Sequence, residues 1–389
     1  MGRNILFVLG RYPNIGGVES ITTNLSNEFV KLGNQVHIVS FEAVCSLNQM
    51  GLNDKVKTLT LSYPVYSQSN KKELTAYISE NKIEVVMNNW CLPFYVSRLI
   101  NYCIRNTPCK YLAIHQNDPV TNARLKNCEI RIEEHIGLNI VNKIQWHVIN
   151  IVSRLSLKYV YHKCDRFVVL SPSFIPPLKK YIWEKNGAKI SAIPEAFETE
   201  ANGNKYEKEK EIIYLGRIDY NQKRVRRIID IWSHLESIYP EWHLTIVGDG
   251  PDMGTVKKKV INYNLKNVRF EGYQKPDKYF KRASIMLLVS EYEGFGIVLV
   301  EAQSFGCVPI ALDSYSALHD IVKDDVNGII VEYPFQINRF VSEISSLIEN
   351  KEKLEKCELN AIKSVDKFRL TNVVKMWLQL FDELNYESK

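Results

Sequence analysis

Residues 283–313 read ASIMLLVSEYEGFGIVLVEAQSFGCVPIALD. Ala283 to Ser290 is an apolar run of strand length, and Pro309 to Asp313 is a second. Between them stand Glu293-Gly294-Phe295-Gly296 and a helix-length segment from Ile297 to Phe305. Strand, glycine turn, helix, strand is the repeating unit of a parallel α/β sheet. In such sheets ligands bind at the carboxyl ends of the strands, where Glu293 falls. Gly294 and Gly296 lack a Cβ, so the backbone turns sharply and a ligand can come close. The next residues, Ile297 and Val298, open a helix whose first amides have no intrahelical partner, which makes an anion site. Glu301 follows about one turn into the helix. One carboxylate thus precedes the anion site and one lies beyond it, an arrangement suited to two hydroxyl-rich groups joined by phosphate.

The pattern E-G-F-G-x4-E arises by chance in roughly one chain of this length in a few thousand. On Glu293 and Glu301 the chain resembles the retaining glycosyltransferases of family 4. These have the GT-B fold, two Rossmann-like α/β domains facing a central cleft. In that family the first Glu of a Glu-x7-Glu motif contacts the donor sugar and the second the nucleotide ribose. The resemblance implies that Gly294, Phe295, Gly296, Ile297 and Val298 line the donor site.

The rest of the chain fits a two-domain enzyme. Its 389 residues are enough for two cores, and 45% hydrophobic with 24% charged residues is a soluble globular composition. The formal charge of +6 suits an anionic small ligand or a membrane surface and gives little support to nucleic acid. The eight cysteines show no C-x-x-C pair and no metal spacing, and most sit in apolar settings. They are expected to be reduced, hence a cytoplasmic protein. No apolar stretch reaches membrane-spanning length, and the start lacks a signal peptide.

From the start, Asn4–Gly10 is a buried-type strand, RYPNIGG a loop, about 18–32 an amphipathic helix and VHIVSF the next strand. The loop lacks G-x-G-x-x-G, which disfavours a nicotinamide dehydrogenase. Strands at 57–62, 83–88 and 110–115 alternate with helices. His115 leaves its strand at the carboxyl edge, where an imidazole can bond a sugar hydroxyl. Asp118 is a weaker acceptor-side candidate. Residues 124–163 read as one long basic amphipathic helix. Either it packs on the sheet with a solvated face, or it lies on an anionic leaflet. Residues 199–210, TEANGNKYEKEK, are the best linker. We expect an acceptor-side domain over 1–200, a nucleotide-sugar domain over 201–370, and a helix in 371–389 packing back on the first domain.

The second domain opens with EIIYLGRIDYNQKR. Gly216-Arg217 ends the strand, and Lys223 and Arg224 are expected to start a helix through Leu235. Arg and Lys beside a carboxyl edge suit phosphate oxygens. Gly248 in HLTIVGDGP also brings backbone to that edge. The resemblance assigns Arg217 and Lys223 to the donor diphosphate, Gly16 and Gly17 to its phosphates or sugar, Gly272 and Tyr273 to the base, and His115 to catalysis. It departs at Ile193-Pro194-Glu195-Ala196, where the family carries an Asn-Gly turn. No Asp-x-Asp occurs, so no metal and no cofactor is expected, with Arg217, Lys223 and helix amides in the cation's place. GRIDYNQKR resembles bacterial capsule and O-antigen transferases. That implies a nucleotide-sugar partner of UDP type and a saccharide acceptor, lipid-linked, with possible inner-membrane contact. The alternatives are a sugar-nucleotide hydrolase or epimerase, or an inactive donor-binding subunit.

Overall fold

The computed structural model describes residues 2–14, 16–199, 201 and 203–386. Glu200 and Asn202 of the expected linker and residues 387–389 of the expected C-terminal segment lie outside these. The chain divides into two compact units, Met1–Glu198 with Arg369–Lys389, and Thr199–Phe368.

The first unit runs β1 (Asn4–Val8), α1 (Gly17–Lys31), β2 (Gln35–Ser40), β3 (Lys57–Thr60), α2 (Gln68–Glu80), β4 (Val85–Asn88), α3 (Phe94–Ile104), β5 (Lys110–His115), α4 (Ala123–Glu133), α5 (Asn139–Lys163), β6 (Arg166–Val169), α6 (Ile175–Ile182) and β7 (Ile190–Ala192). Its seven strands pair in parallel in the order β3-β2-β1-β4-β5-β6-β7. Ile5, Leu6, Phe7 and Val8 of β1 are all buried, as a central strand covered on both faces requires. On α1 the buried face is partly polar. Thr22 and Thr23 return their hydroxyls to the carbonyls of Val18 and Glu19, while the buried Ser26 hydroxyl on the same face has no partner.

The second unit runs β8 (Glu209–Leu215), α7 (Arg226–Leu235), β9 (His243–Val247), α8 (Met253–Asn262), β10 (Val268–Gly272), α9 (Asp277–Arg282), β11 (Ala283–Leu288), α10 (Ile297–Ser304), β12 (Val308–Leu312), α11 (Leu318–Ile321), β13 (Ile329–Val331), α12 (Ile337–Glu349) and α13 (Lys351–Ser364). Its six strands are parallel in the order β10-β9-β8-β11-β12-β13. All six side chains of β11 are buried. On α7, Ile228, Ile229, Ile231, Trp232 and Leu235 repeat at three and four residues and fill one core with Ile212, Tyr214 and Leu287. Each such side chain stabilises the fold by about 1.5–3 kcal/mol.

The last helix, α14 (Leu370–Tyr386), belongs to the first unit. Val373, Val374, Trp377, Leu380, Phe381 and Leu384 form its buried stripe, and Phe381 meets Phe29 of α1 with ring centroids 5.9 Å apart.

Two sequence expectations need correction. The long helix over 124–163 is two helices. His135 (φ 53°) and Gly137 (φ 72°) take left-handed conformations that end α4, and α5 restarts at Asn139. The helix expected from Lys223 begins at Arg226 instead. Arg224 has φ 51° and cannot continue a helix.

Candidate active site

Strand order in the second unit reverses between β8 and β11. The chain leaves β8 toward β9 and leaves β11 toward β12, so the loops beyond their carboxyl ends diverge and open a crevice. Both loops carry the residues singled out above.

The loop after β8 is held by its own side chains. Asp219 accepts from the backbone N–H of Gln222 at 2.7 Å and of Lys223 at 3.4 Å, and it pairs with Arg217 at 2.7 Å. Arg217 also donates to Gln222 Oε1 at 3.1 Å and is 59% exposed. Buried Arg224 stacks 4.4 Å over Tyr220 and pairs with Glu291 at 3.5 Å. Those contacts offset the strain of its left-handed backbone, about 1–2 kcal/mol. Arg227 pairs with Glu291 from α7.

Two further bonds tie this loop to the one after β11. Glu291 N–H donates to the Gln222 carbonyl at 2.8 Å, and the Gln222 amide donates to the Tyr292 carbonyl at 3.3 Å. The result is an ion pair, Lys223 Nζ to Glu293 Oε1 at 2.6 Å, with side chains 16% and 7% exposed. Removing either partner would leave a poorly solvated charge, at a cost of about 3–5 kcal/mol for a fully buried pair. Nearby Tyr292 has its hydroxyl pushed up to about 12 by burial, then by Asp219, with Glu293 adding a smaller push the same way.

Gly296 opens α10 with φ 91°, and a Cβ there would lie 2.3 Å from the Tyr315 hydroxyl. Gly296 supplies no side-chain cap; Leu299 N–H bonds the Gly296 carbonyl at 2.9 Å, and the N–H groups of Ile297 and Val298 have no side-chain cap. Gly294, Ile297 and Val298 are half-buried around it. Phe295 is buried against Phe368, with centroids 5.5 Å apart, and serves the core. Glu301 is half-buried, and its carboxyl is pushed up to about 7 by burial, with Asp277 adding like charge.

The other candidate glycines, Gly216, Gly248 and Gly272, lie at the carboxyl ends of β8, β9 and β10. A Cβ on Gly248 would meet the Gly216 carbonyl at 1.9 Å, so that glycine is demanded by loop packing on loop. Gly216 and Gly248 both have positive φ, and Gly248 N–H donates to the Gly272 carbonyl at 2.7 Å. Gly272 faces open space and Tyr273 is 78% exposed.

In the first unit, His115 ends β5. It is buried, with Nδ1 3.6 Å from Cys91 Sγ and no hydrogen bond at Nε2. Burial pushes it down to about 4, against a weaker raising effect of the Asp118 backbone, so it is neutral at ordinary pH. Asp118 is also buried; it accepts from Val120 N–H at 2.9 Å, and burial raises its carboxyl. Gly16 and Gly17 precede and open α1; a Cβ on Gly17 would meet nothing.

Sequence reasoning missed Asp219 and Glu291, which position the two loops. An Asp three residues before Gln222 was the available signal for the first, since Asp commonly bonds backbone N–H groups just ahead. Among the described residues one group has metal-ligand geometry, Glu209, Glu211 and His243 at the amino ends of β8 and β9. Arg282 already bonds both Glu211 oxygens, at 2.8 and 2.9 Å, so the cluster is a neutralised ion-pair network away from the crevice.

Residues 196–364 match the family model described as glycosyl transferases group 1. The amylovoran biosynthesis glycosyltransferase AmsD of Erwinia amylovora is 30% identical over 148 residues, 37% of this chain and 40% of that protein. An α-1,4-N-acetyl-D-galactosaminyltransferase of Campylobacter jejuni is 25% identical over 382 residues, 95% of this chain and 96% of that protein. Its name gives a saccharide on diphospho-undecaprenol as substrate. The crystal structure of Anabaena HepE with UDP and glucose superposes with TM-score 0.73 at 14% identity, over 97% of this chain and 99% of that one. The fold is that of the GT-B glycosyltransferases.

Proposed function

We propose that this chain, whose residues 196–364 match the family model of glycosyl transferases group 1, moves a sugar from a UDP-sugar to a lipid-linked saccharide with retention at the anomeric carbon. The observation that carries the reading is the buried Lys223–Glu293 pair at the reversal of strand order, beside the glycine-capped start of α10. A cation and a hydroxyl acceptor at one point, with helix amides adjacent, fit a phosphate joined to a sugar.

In this reading Lys223, Arg217 and the first amides of α10 stabilise the charge that grows on the departing diphosphate. Glu293 accepts from donor-sugar hydroxyls and Glu301 from the ribose. In the first unit, His115, neutral with an unbonded Nε2, is suited to bond a sugar hydroxyl. The leaving phosphate takes the acceptor proton on the same face, so no protein nucleophile and no metal is needed. A role in surface-polysaccharide synthesis is supported by the relatives above, and it brings the enzyme to the cytoplasmic face of the membrane that holds its acceptor.

The test is Glu293→Gln. It keeps the side chain's size, and turnover should fall by about 10²–10³ while the melting curve retains its shape. Near-parental turnover in a folded variant would refute the assignment.

A further inference from the structure

The 25 residues of α5 contain no Asp or Glu. Ile140, Ile144, Val148, Ile151, Val152 and Leu155 are each more than half exposed. At about 100° per residue these six share one face of the helix, a stripe roughly 120° wide. The opposite face packs inward through Asn142, Ser156, Leu157 and Val160. Lys143, Arg154 and Lys158 border the stripe. Arg154 lies 3.3 Å over the ring of Trp183, itself 59% exposed. At the helix's far end the stripe runs into an apolar groove of about 400 Å³ between Val152, Leu155, Tyr159 and Phe94, with Arg98 at its edge. On α4, Glu129 is taken by Lys126 and by the Trp146 N–H, and Glu133 lines a pocket with Lys143, Trp146 and His147.

A solvated helix does not expose six large aliphatic side chains in line, and a patch of this kind marks a binding surface. Two occupants would cover it. In a symmetric dimer the patch would face itself, bringing Lys143, Arg154 and Lys158 against their own copies. A lipid leaflet with anionic headgroups satisfies both parts: the aliphatic stripe enters the acyl boundary while the basic border and Trp183 lie at headgroup level. We infer that α5 is a membrane-docking face, seated side-on in an anionic leaflet. This stands on α5 alone and does not depend on the sugar-transfer reading.

The experiment is flotation of the full chain with vesicles of phosphatidylglycerol and phosphatidylethanolamine, with phosphatidylcholine vesicles as the contrast. Binding is expected to the anionic vesicles and to weaken at high salt. The triple variant Ile144→Ser, Val148→Ser, Ile151→Ser should lower partitioning by about tenfold or more with an unchanged circular dichroism melt. Lys143→Gln with Lys158→Gln should remove most of the salt dependence. Failure of the parent chain to float with anionic vesicles would overturn the inference. So would unchanged flotation of the triple variant, or a concentration-dependent dimer in sedimentation that the triple variant abolishes.

Discussion

Glu301 offers the sharpest test of how the second unit divides stability from function. Its carboxyl is half-buried, and burial raises it from 4.5 to about 7. A carboxyl raised in the folded state favours folding fully below the unfolded value. That advantage is lost as pH rises through the folded value. Between roughly pH 4.5 and 7 the parent chain therefore loses stability through this one group, by up to about 3 kcal/mol at 1.36 kcal/mol per unit. Partial solvent access reduces this to about 1–3 kcal/mol. Glu301→Gln removes the titration while keeping the size. Urea melts should show the variant gaining about 1–3 kcal/mol on the parent between pH 5 and pH 8. On the proposed role of Glu301 in accepting from ribose hydroxyls, donor affinity should move the opposite way, since only the ionised carboxylate accepts with both oxygens. Parent affinity for UDP should rise about ninefold from pH 6 to pH 8, as ionisation goes from about a tenth to nine-tenths. The variant should bind weakly at both. Equal urea midpoints for both proteins across that range would refute the buried-carboxylate argument. A pH-independent UDP affinity in the parent would refute the ribose role.

Lys223→Met leaves Glu293 with no cation, so it should lower stability by about 1–3 kcal/mol and weaken UDP binding; calorimetry at two salt concentrations reads both. Gly296→Ala combines a positive φ with the Tyr315 hydroxyl 2.3 Å away, and should cost about 1–3 kcal/mol; Tyr315→Phe in the same chain should recover only the steric part in a thermal melt. His37 and His115 are both pushed down to about 4 by burial, so the first unit should lose stability as pH falls from 6.5 toward 4; His37→Gln should flatten that acid limb in a pH-dependent melt.

The strands were legible because parallel strands buried on both faces leave unbroken apolar runs, as in ILFV of β1 and ASIMLL of β11. The placement of Glu293, Arg217 and Lys223 beyond the carboxyl ends of β11 and β8 was legible because they follow such runs at short distances. The break between α4 and α5 was missed because amphipathic spacing continues across it, although Gly137 was a visible stop signal. The late start of α7 was not legible at all. It depends on Arg224 being held left-handed by Tyr220 and Glu291, and Glu291 lies 67 residues further along the chain. Gly248 was read as a ligand approach, and the structure gives it a packing reason, since only a second loop's carbonyl reveals the crowding.

The return of α14 to the first unit has a consequence for how the protein is made. The unit that leaves the ribosome first has a bare flank on α1, with Phe29 uncovered, until Phe381 and its neighbours have been synthesised. The second unit, encoded entirely in between, has all its elements in hand by Ser364, before α14 completes the first unit, and can settle earlier. A message truncated before residue 370 would therefore yield a chain whose later half is complete and whose earlier half is not, and cellular quality control would meet it by way of its amino-terminal part.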